Sequence, residues 1–449
     1  MSFRMHHRKL YLALEAAEGT AQSINPGSDY IECIDPTFTT TARTFERNPT
    51  RKSITPAPLH TVGTGRIDTK PSATVEFSFQ IELAGSGTAG TAPRWARVLE
   101  TCGLKKYDAR AAPFTGALSQ SGGPDVIQTF DTVAVGATVF GRALGDTFNE
   151  DSHLFYALKS GGSDPVSGNT VTGSVAPIAT LDTTSDSVAA VAYVPTSEDE
   201  LGGGDLSSAT VRLYLDDQGD YIEAVGCRSN VEFAFASGDR VLLNVTMTGR
   251  MREYVVGTGT DVLPVSDGTD MPPGFVGVSL NVADNTYEGS GGTDEAAYTG
   301  LIFNTMSVNI GNDVVVRENV STTEGYDVAY ITGRSMQMTF NPDAVTNSGH
   351  VDQAGADFWD QFLSGDLTRM SFTVGTETGN KFIFRFPAAQ FTGIADGNRD
   401  ETMVWDSSCT LTGGDYGSSI QERDIANPTA ATPLNNRLGR DNEFVMFML

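Results

Sequence analysis

The sequence predicts a mainly β protein, with one short packed helix in each of two similar strand-rich halves. Three observations carry this. Val75, Phe77, Phe79, Ile81 and Leu83 alternate with Thr74, Glu76, Ser78, Gln80 and Glu82, the period of a strand buried on one face and wet on the other. A short amphipathic segment follows, with Trp95, Val98, Leu99 and Cys102 on one helical stripe. The 48 glycines stand among many Thr, Ser, Val and Asp residues, which favours short strands joined by turns over long helices.

The segment between Lys70 and Gly103 organises the rest. Thr91 is placed to cap its helix, Pro93 sits just inside, and Gly103 lies just past the end. The strand's apolar face is the expected floor. A second unit has the same order. Met336, Met338 and Phe340 alternate with Gln337 and Thr339, a polar loop follows, and a short helix carries Phe358, Trp359, Phe362 and Leu363 before Gly365. Trp95-Val98-Leu99 and Trp359-Phe362-Leu363 share a spacing, so these six are the expected helix anchors. Later strands also correspond: Val231–Phe235 in the first unit, Phe382–Phe386 in the second, closed by Thr248-Gly249 and Thr412-Gly413. This pattern suggests an internal duplication.

In chain order, Ile31 to Phe38 reads as a strand, and Arg43, Arg47 and Arg51 form a basic loop in an otherwise acidic chain. Residues 106–208 break the repeat. They read as an inserted β-rich segment, with strand-like runs at Thr132–Ala143, His153–Leu158 and Ser187–Val194. The first unit thus covers 1–257, a linker and flexible loop 258–299, and the second unit 300–449. The chain closes on Phe444-Val445-Met446-Phe447-Met448-Leu449. Such an apolar strand must pair with a sheet of its own chain or of a neighbour.

The formal net charge of -26 repels phosphate and argues against gripping nucleic acid. Four scattered cysteines, Cys33, Cys102, Cys227 and Cys409, form no metal pair and suit reduced, buried thiols. The apolar run Leu10–Leu14 is too short for a signal peptide, and no stretch is long enough for a transmembrane helix.

No chemistry stands out. Of the five histidines, His6, His7, His60, His153 and His350, none has a two-His helical spacing with a carboxylate. Gly85-Ser86-Gly87-Thr88-Ala89-Gly90 imitates a phosphate loop but lacks the following Lys. Asp216 with Asp217 and Asp199 with Glu200 read as turn or surface pairs. No catalytic residue, cofactor or metal site is expected.

The run Glu82-Leu83-Ala84-Gly85-Ser86-Gly87-Thr88-Ala89-Gly90-Thr91-Ala92-Pro93, with Trp95, Leu99 and Cys102-Gly103, resembles tail tube (major tail) proteins of long-tailed bacteriophages. Glu46-Arg47, Tyr221–Gly226, Ile331-Thr332-Gly333-Arg334, Gly375-Thr376, Gly379-Asn380 and Pro387-Ala388-Ala389-Gln390 extend the likeness over most of the chain outside 106–208. The resemblance implies a β-sandwich or barrel-like fold without catalysis. It implies stacked homo-oligomeric rings whose inner strands enclose a channel for double-stranded DNA. With two units per chain, three copies are expected rather than six. It also implies a virion location, assembly in the host cytoplasm, and contacts with tape measure, terminator and distal tail proteins. Glu76, Ser78, Gln80, Glu82, Gln337 and Thr339 are then expected to face the lumen. Arg43, Arg47 and Arg51, with Phe444, Phe447 and Leu449, are expected at contacts between rings. The rival reading is a carbohydrate-binding or adhesive β-sandwich, which would need exposed aromatic platforms.

Overall fold

A computed structural model describes residues 7–42, 44–45, 66–67, 73–115, 132–135, 138–144, 153–158, 170–172, 177–181, 188–196, 206–266, 271–278, 280–284, 303–322, 325–344, 358–365, 367–413 and 443–449. The first strands are β1 (Lys9–Leu14), β2 (Tyr30–Ile31), β3 (Ile34–Ala42), β4 (Thr44–Phe45), β5 (Arg66–Ile67) and β6 (Ala73–Glu82), followed by helix α1 (Arg97–Thr101). Then come β7 (Leu104–Thr115), β8 (Thr132–Val135), β9 (Thr138–Ala143), β10 (His153–Leu158), β11 (Thr170–Thr172), β12 (Pro177–Leu181) and β13 (Val188–Pro195). The hairpin strands β14 (Ala209–Tyr214), β15 (Tyr221–Ala236) and β16 (Leu242–Val255) complete the first half. The second half holds β17 (Asn281–Asp284), β18 (Phe303–Asn309), β19 (Asn312–Glu318), β20 (Tyr326–Arg334), β21 (Gln337–Pro342), helix α2 (Phe358–Ser364), β22 (Leu367–Val374), β23 (Phe382–Arg399), β24 (Thr402–Thr412) and β25 (Val445–Met448). The protein is mainly β, and its large sheet is antiparallel.

One strand order occurs twice. In the first half neighbours run β1, β14, β15, β16, β6, β3. In the second they run β17, β22, β23, β24, β21, β18. Among the described residues chain order matches as well, except that β2 stands between β1 and β3 without a counterpart and that β7–β13 stand between α1 and β14, whereas α2 leads directly into β22. The halves join where Glu232–Ala236 of β15 pair with Thr305–Asn309 of β18. Eight strands thereby form one continuous run: β3, β6, β16, β15, β18, β21, β24, β23.

Period two decides what this run buries. Along β6, Val75, Phe77, Phe79 and Ile81 are buried, while Thr74, Glu76, Ser78, Gln80 and Glu82 are partly or fully exposed. Buried residues of both halves belong to one core, in which Phe233 and Phe235 meet Phe384 and Phe372 at 5.5 and 5.2 Å between ring centroids.

The first helix opens with a 3₁₀ turn, Arg94–Ala96, and Pro93 occupies its N-cap without a side-chain cap. Thr91 therefore does not cap it; its carbonyl accepts from the Ser86 hydroxyl at 2.7 Å. Gly103 ends the helix at φ +80°, a backbone state that costs glycine little. Trp95, Val98 and Leu99 are buried, and the Trp95 indole N–H donates to the Ala84 carbonyl at 2.8 Å. The floor beneath α1 is chiefly β1, β7 and β15 rather than β6 itself.

The second helix departs from its expected packing. Phe358 is the residue it buries, 5.8 Å from Phe340 and 5.3 Å from Phe391 between centroids. Trp359 is 40% exposed, Leu363 is 76% exposed, and Phe362 is half-buried. Trp359 and Leu363 are therefore not core anchors. The physical reason is phase. One residue turns a helix by 100°, so burying Phe358 carries its successor and the residue four further on away from the core.

The C-terminal strand also corrects an expectation. β25 pairs with β13 on one side and with β23 on the other. Phe444 and Phe447 are 0% exposed and Leu449 is 8% exposed, so these three lie in the chain's own core and not at a surface between rings. Phe447 stacks on Phe155 at 3.8 Å, and the buried Arg385 guanidinium lies against both rings at 5.3 and 4.9 Å. Pairing with its own sheet satisfies the apolar run that exposure would leave open. Arg43, Arg47 and Arg51 lie outside the described residues.

Candidate functional surface: the polar face of the continuous sheet

The wet side of the eight-strand run has a side-chain order that no single strand reveals. Gln80 lies opposite Asn244, Asn244 opposite Glu232, and Glu232 opposite Asn309. The row continues through Gln337, Thr410 and Gln390. It thus crosses seven strands and both halves with polar side chains alone. A second row runs Glu82, Leu242, Ala234, Ser307, Thr339, Ser408, Gly393. A third runs Thr37, Ser78, Thr246, Asn230. Register makes the rows, because cross-strand neighbours share a face wherever pairing stays in phase.

Five of the six residues expected on this face, Ser78, Gln80, Glu82, Gln337 and Thr339, fall into these rows. Gln80 and Gln337 occupy the same row, as do Glu82 and Thr339. Glu76 is the sixth, exposed on the same side of β6 and opposite Thr248. Asn244, Glu232, Asn309, Thr410 and Gln390 escaped sequence reasoning. Their strands alternate too, but knowing that they continue the Gln80 row requires the pairing register.

The rows are internally hydrogen-bonded. The Gln80 amide donates to Asn244 Oδ1 at 2.9 Å, and the Asn244 amide donates to Glu232 Oε2 at 3.3 Å. The Asn230 amide donates to Asn309 Oδ1 at 3.2 Å across the junction between the halves. Ser307 and Thr339 hydroxyls lie 2.8 Å apart. The three rows hold no Lys or Arg, and their acids are Glu82 and Glu232; Glu82 pairs with Arg240 at the turn. These rows are therefore mainly uncharged amide and hydroxyl, with a slight acidic bias; the next row, through Glu76 and Thr248, ends on Arg228, which is buried and ion-paired with Glu18.

Both margins of this face end in strands with an open side. Among the described residues, β3 pairs only with β6, and residues 391–399 of β23 pair only with β24.

Other features that drew attention in the sequence have structural roles. The Gly85–Gly90 loop packs on the turn between β22 and β23. Gly85 N–H donates to Asn380 Oδ1 at 2.8 Å, and a Cβ on Gly85 would stand 1.9 Å from the Gly379 carbonyl oxygen. That is close backbone approach between the halves. Asp216 accepts from the backbone N–H groups of Gln218 and Asp220, as a turn residue does. Burial pushes the Cys33 and Cys102 thiols up to about 12 and raises Cys227 and Cys409 as well, so none is activated as a nucleophile. Among the described residues no group of three or more His, Cys, Asp or Glu is arranged to hold a metal ion, and no helix is long and apolar enough to cross a membrane.

No protein-family model matches the chain, and no curated protein sequence does.

Proposed function

We propose that this chain is a structural subunit that closes side by side into rings, and that the rings stack into the tail tube of a long-tailed bacteriophage, with the polar sheet face lining the channel. The observation that carries the reading is the continuous, mostly uncharged face spanning both halves between two open edges. Joining β3 of one copy to the 391–399 edge of β23 of the next removes both edges. Three copies then supply twenty-four strands. At about 4.8 Å per strand the wall is about 115 Å around before tilt widens it, enough to enclose a DNA duplex.

The chemistry suits passage rather than capture. Each Lys or Arg that neutralised a phosphate would add salt-sensitive affinity and slow the DNA. Amides and hydroxyls carry no charge to neutralise a phosphate, and Glu76, Glu82 and Glu232 repel weakly. The role is structural and non-catalytic. Its partners are further copies, the proteins at the ends and inside of the tube, and DNA passing without specific binding. The site of action is the virion.

Negative-stain microscopy of concentrated protein tests the reading. Hollow rings or tubes are the expected outcome. A monomer at every concentration, or binding of glycans by that monomer, would overturn it in favour of a surface adhesin. The lining is tested by Glu76→Lys combined with Glu82→Lys. Tubes should still form, since both residues are off the core, and DNA ejection should slow most at low salt. Normal ejection at low salt from intact tails would put the face elsewhere.

A further inference from the structure

The repeated topology makes the intramolecular junction a template for contact between copies. In the second half, the chain between β18 and β21 forms the β19–β20 hairpin. That hairpin reaches back and seats on the first half. The Asn312 amide at its base donates to the Cys102 carbonyl at 2.7 Å and to the Ser229 carbonyl at 3.0 Å. A Cβ built on Gly103 would meet Ile331 of the hairpin at 3.3 Å, and the Arg228 guanidinium lies 5.5 Å from the Tyr330 ring. The C-terminal end of α1 is thereby covered.

The end of α2 is different. Trp359 and Leu363, one turn apart, form an exposed ridge, and Met403 of β24 is 47% exposed beside Trp405, whose ring lies 5.4 Å from Trp359. By the repeated order, the counterpart of the β19–β20 hairpin is the connection from β3 to β6, where β4 and β5 pair. Within one chain β3 and β23 are the two extremes of the eight-strand run, seven spacings of about 4.8 Å apart along the sheet. The neighbour's connection is the one placed to reach.

We infer that the ridge of α2, with Leu363 at its centre, is the seat for the β3–β6 connection of a second copy. Charge supports that occupant. Residues 43–72 carry six Lys or Arg against two acids in a chain of net charge -26. The ground around α2 is acidic, with Asp357, Asp360 and Asp366 in sequence and Asp396, Asp400 and Glu401 exposed on the β23–β24 hairpin. Apolar residues in the same connection, Ile54, Leu59 and Val62, supply the matching hydrophobic surface.

The inference rests on the side-by-side copies of the proposed ring. It is tested by mixing full-length Leu363→Cys with separate chains carrying Asn48→Cys, Ser53→Cys, Ala57→Cys or Thr61→Cys, so that a disulfide between these positions joins two copies. Mass spectrometry should find residue 363 bonded to at least one partner position in assembled material. Rings without any such bond would overturn the docking and leave the ring standing; no association of the unmodified chain would overturn both. As a second arm, Leu363→Asp should raise the concentration needed for assembly at least tenfold and leave Tm unchanged. Assembly at the unmodified concentration would also overturn the inference.

Discussion

The two helices occupy the same place in the same strand order, yet one is sealed and the other is not. At α1, Trp95 is 4% exposed, its indole N–H is bonded, and Asn312 reaches across from the second half to the helix end. At α2, Phe358 is buried and Phe362 packs half-buried against the core, while Trp359 and Leu363 face outward. The difference lies in what surrounds each helix. α1 is hemmed in by β7 from the 104–195 segment and by the β19–β20 hairpin, while α2 rests mainly on β23. A repeated topology fixes where a helix sits but not which of its faces is covered; the neighbours decide that.

The sharpest way to break this comparison is to truncate both tryptophans. Trp95→Ala should cost about 3–5 kcal/mol, because it empties a sealed site and orphans the Ala84 carbonyl. Trp359→Ala in the isolated chain should stay within about 1 kcal/mol. Urea unfolding of the two variants measures both, and equal costs would end the distinction.

Phe358→Ala should cost about 3 kcal/mol, well above Trp359→Ala, if the phase of α2 is as described. The reverse ranking would restore Trp359 as the anchor.

Asn312→Ala probes the seal over α1. It removes the donor shared by the Cys102 and Ser229 carbonyls and should cost about 2 kcal/mol by thermal unfolding. No change would mean that the hairpin does not hold the helix end.

Alkaline stability separates the helix ends more finely. Burial pushes the Cys102 thiol up to about 12 from an ordinary value of 9.0, whereas Ser364 precedes the closing glycine of α2. A raised folded value gives stability that is present below about pH 9 and is lost as pH climbs toward about 12. Between pH 8 and pH 10 the unmodified chain should therefore lose about 1.4 kcal/mol more than Cys102→Ala. Parallel pH profiles would show that this thiol is not sealed.

The smallest effect is spectroscopic. Acrylamide should quench Trp359 and spare Trp95 in the monomer, and assembly should protect Trp359. Trp359 quenched equally in monomer and ring would weaken the case for a covered α2.

How much of this was legible in the sequence can be traced through residues. Alternation placed Glu76, Ser78, Gln80 and Glu82 opposite Phe77, Phe79 and Ile81, because a two-residue period leaves a strand no other choice once one face is buried. Gly103 and Gly365 marked both helix ends through their left-handed backbone, at φ +80° and +75°. The apolar composition of Phe444–Leu449 required a paired strand. All of these are local constraints, acting within one element.

What only the tertiary structure decided involves distance along the chain. The row from Gln80 to Gln390 depends on register across seven strands, which no strand encodes alone. The partners of β25 are β13 and β23 of its own chain, a choice made by the shape of the assembled core. The choice of Phe358 over Trp359 follows from the positions of Phe340 and Phe391. Side-chain chemistry determined which faces had to be buried, and the packing of the two halves determined what buried them.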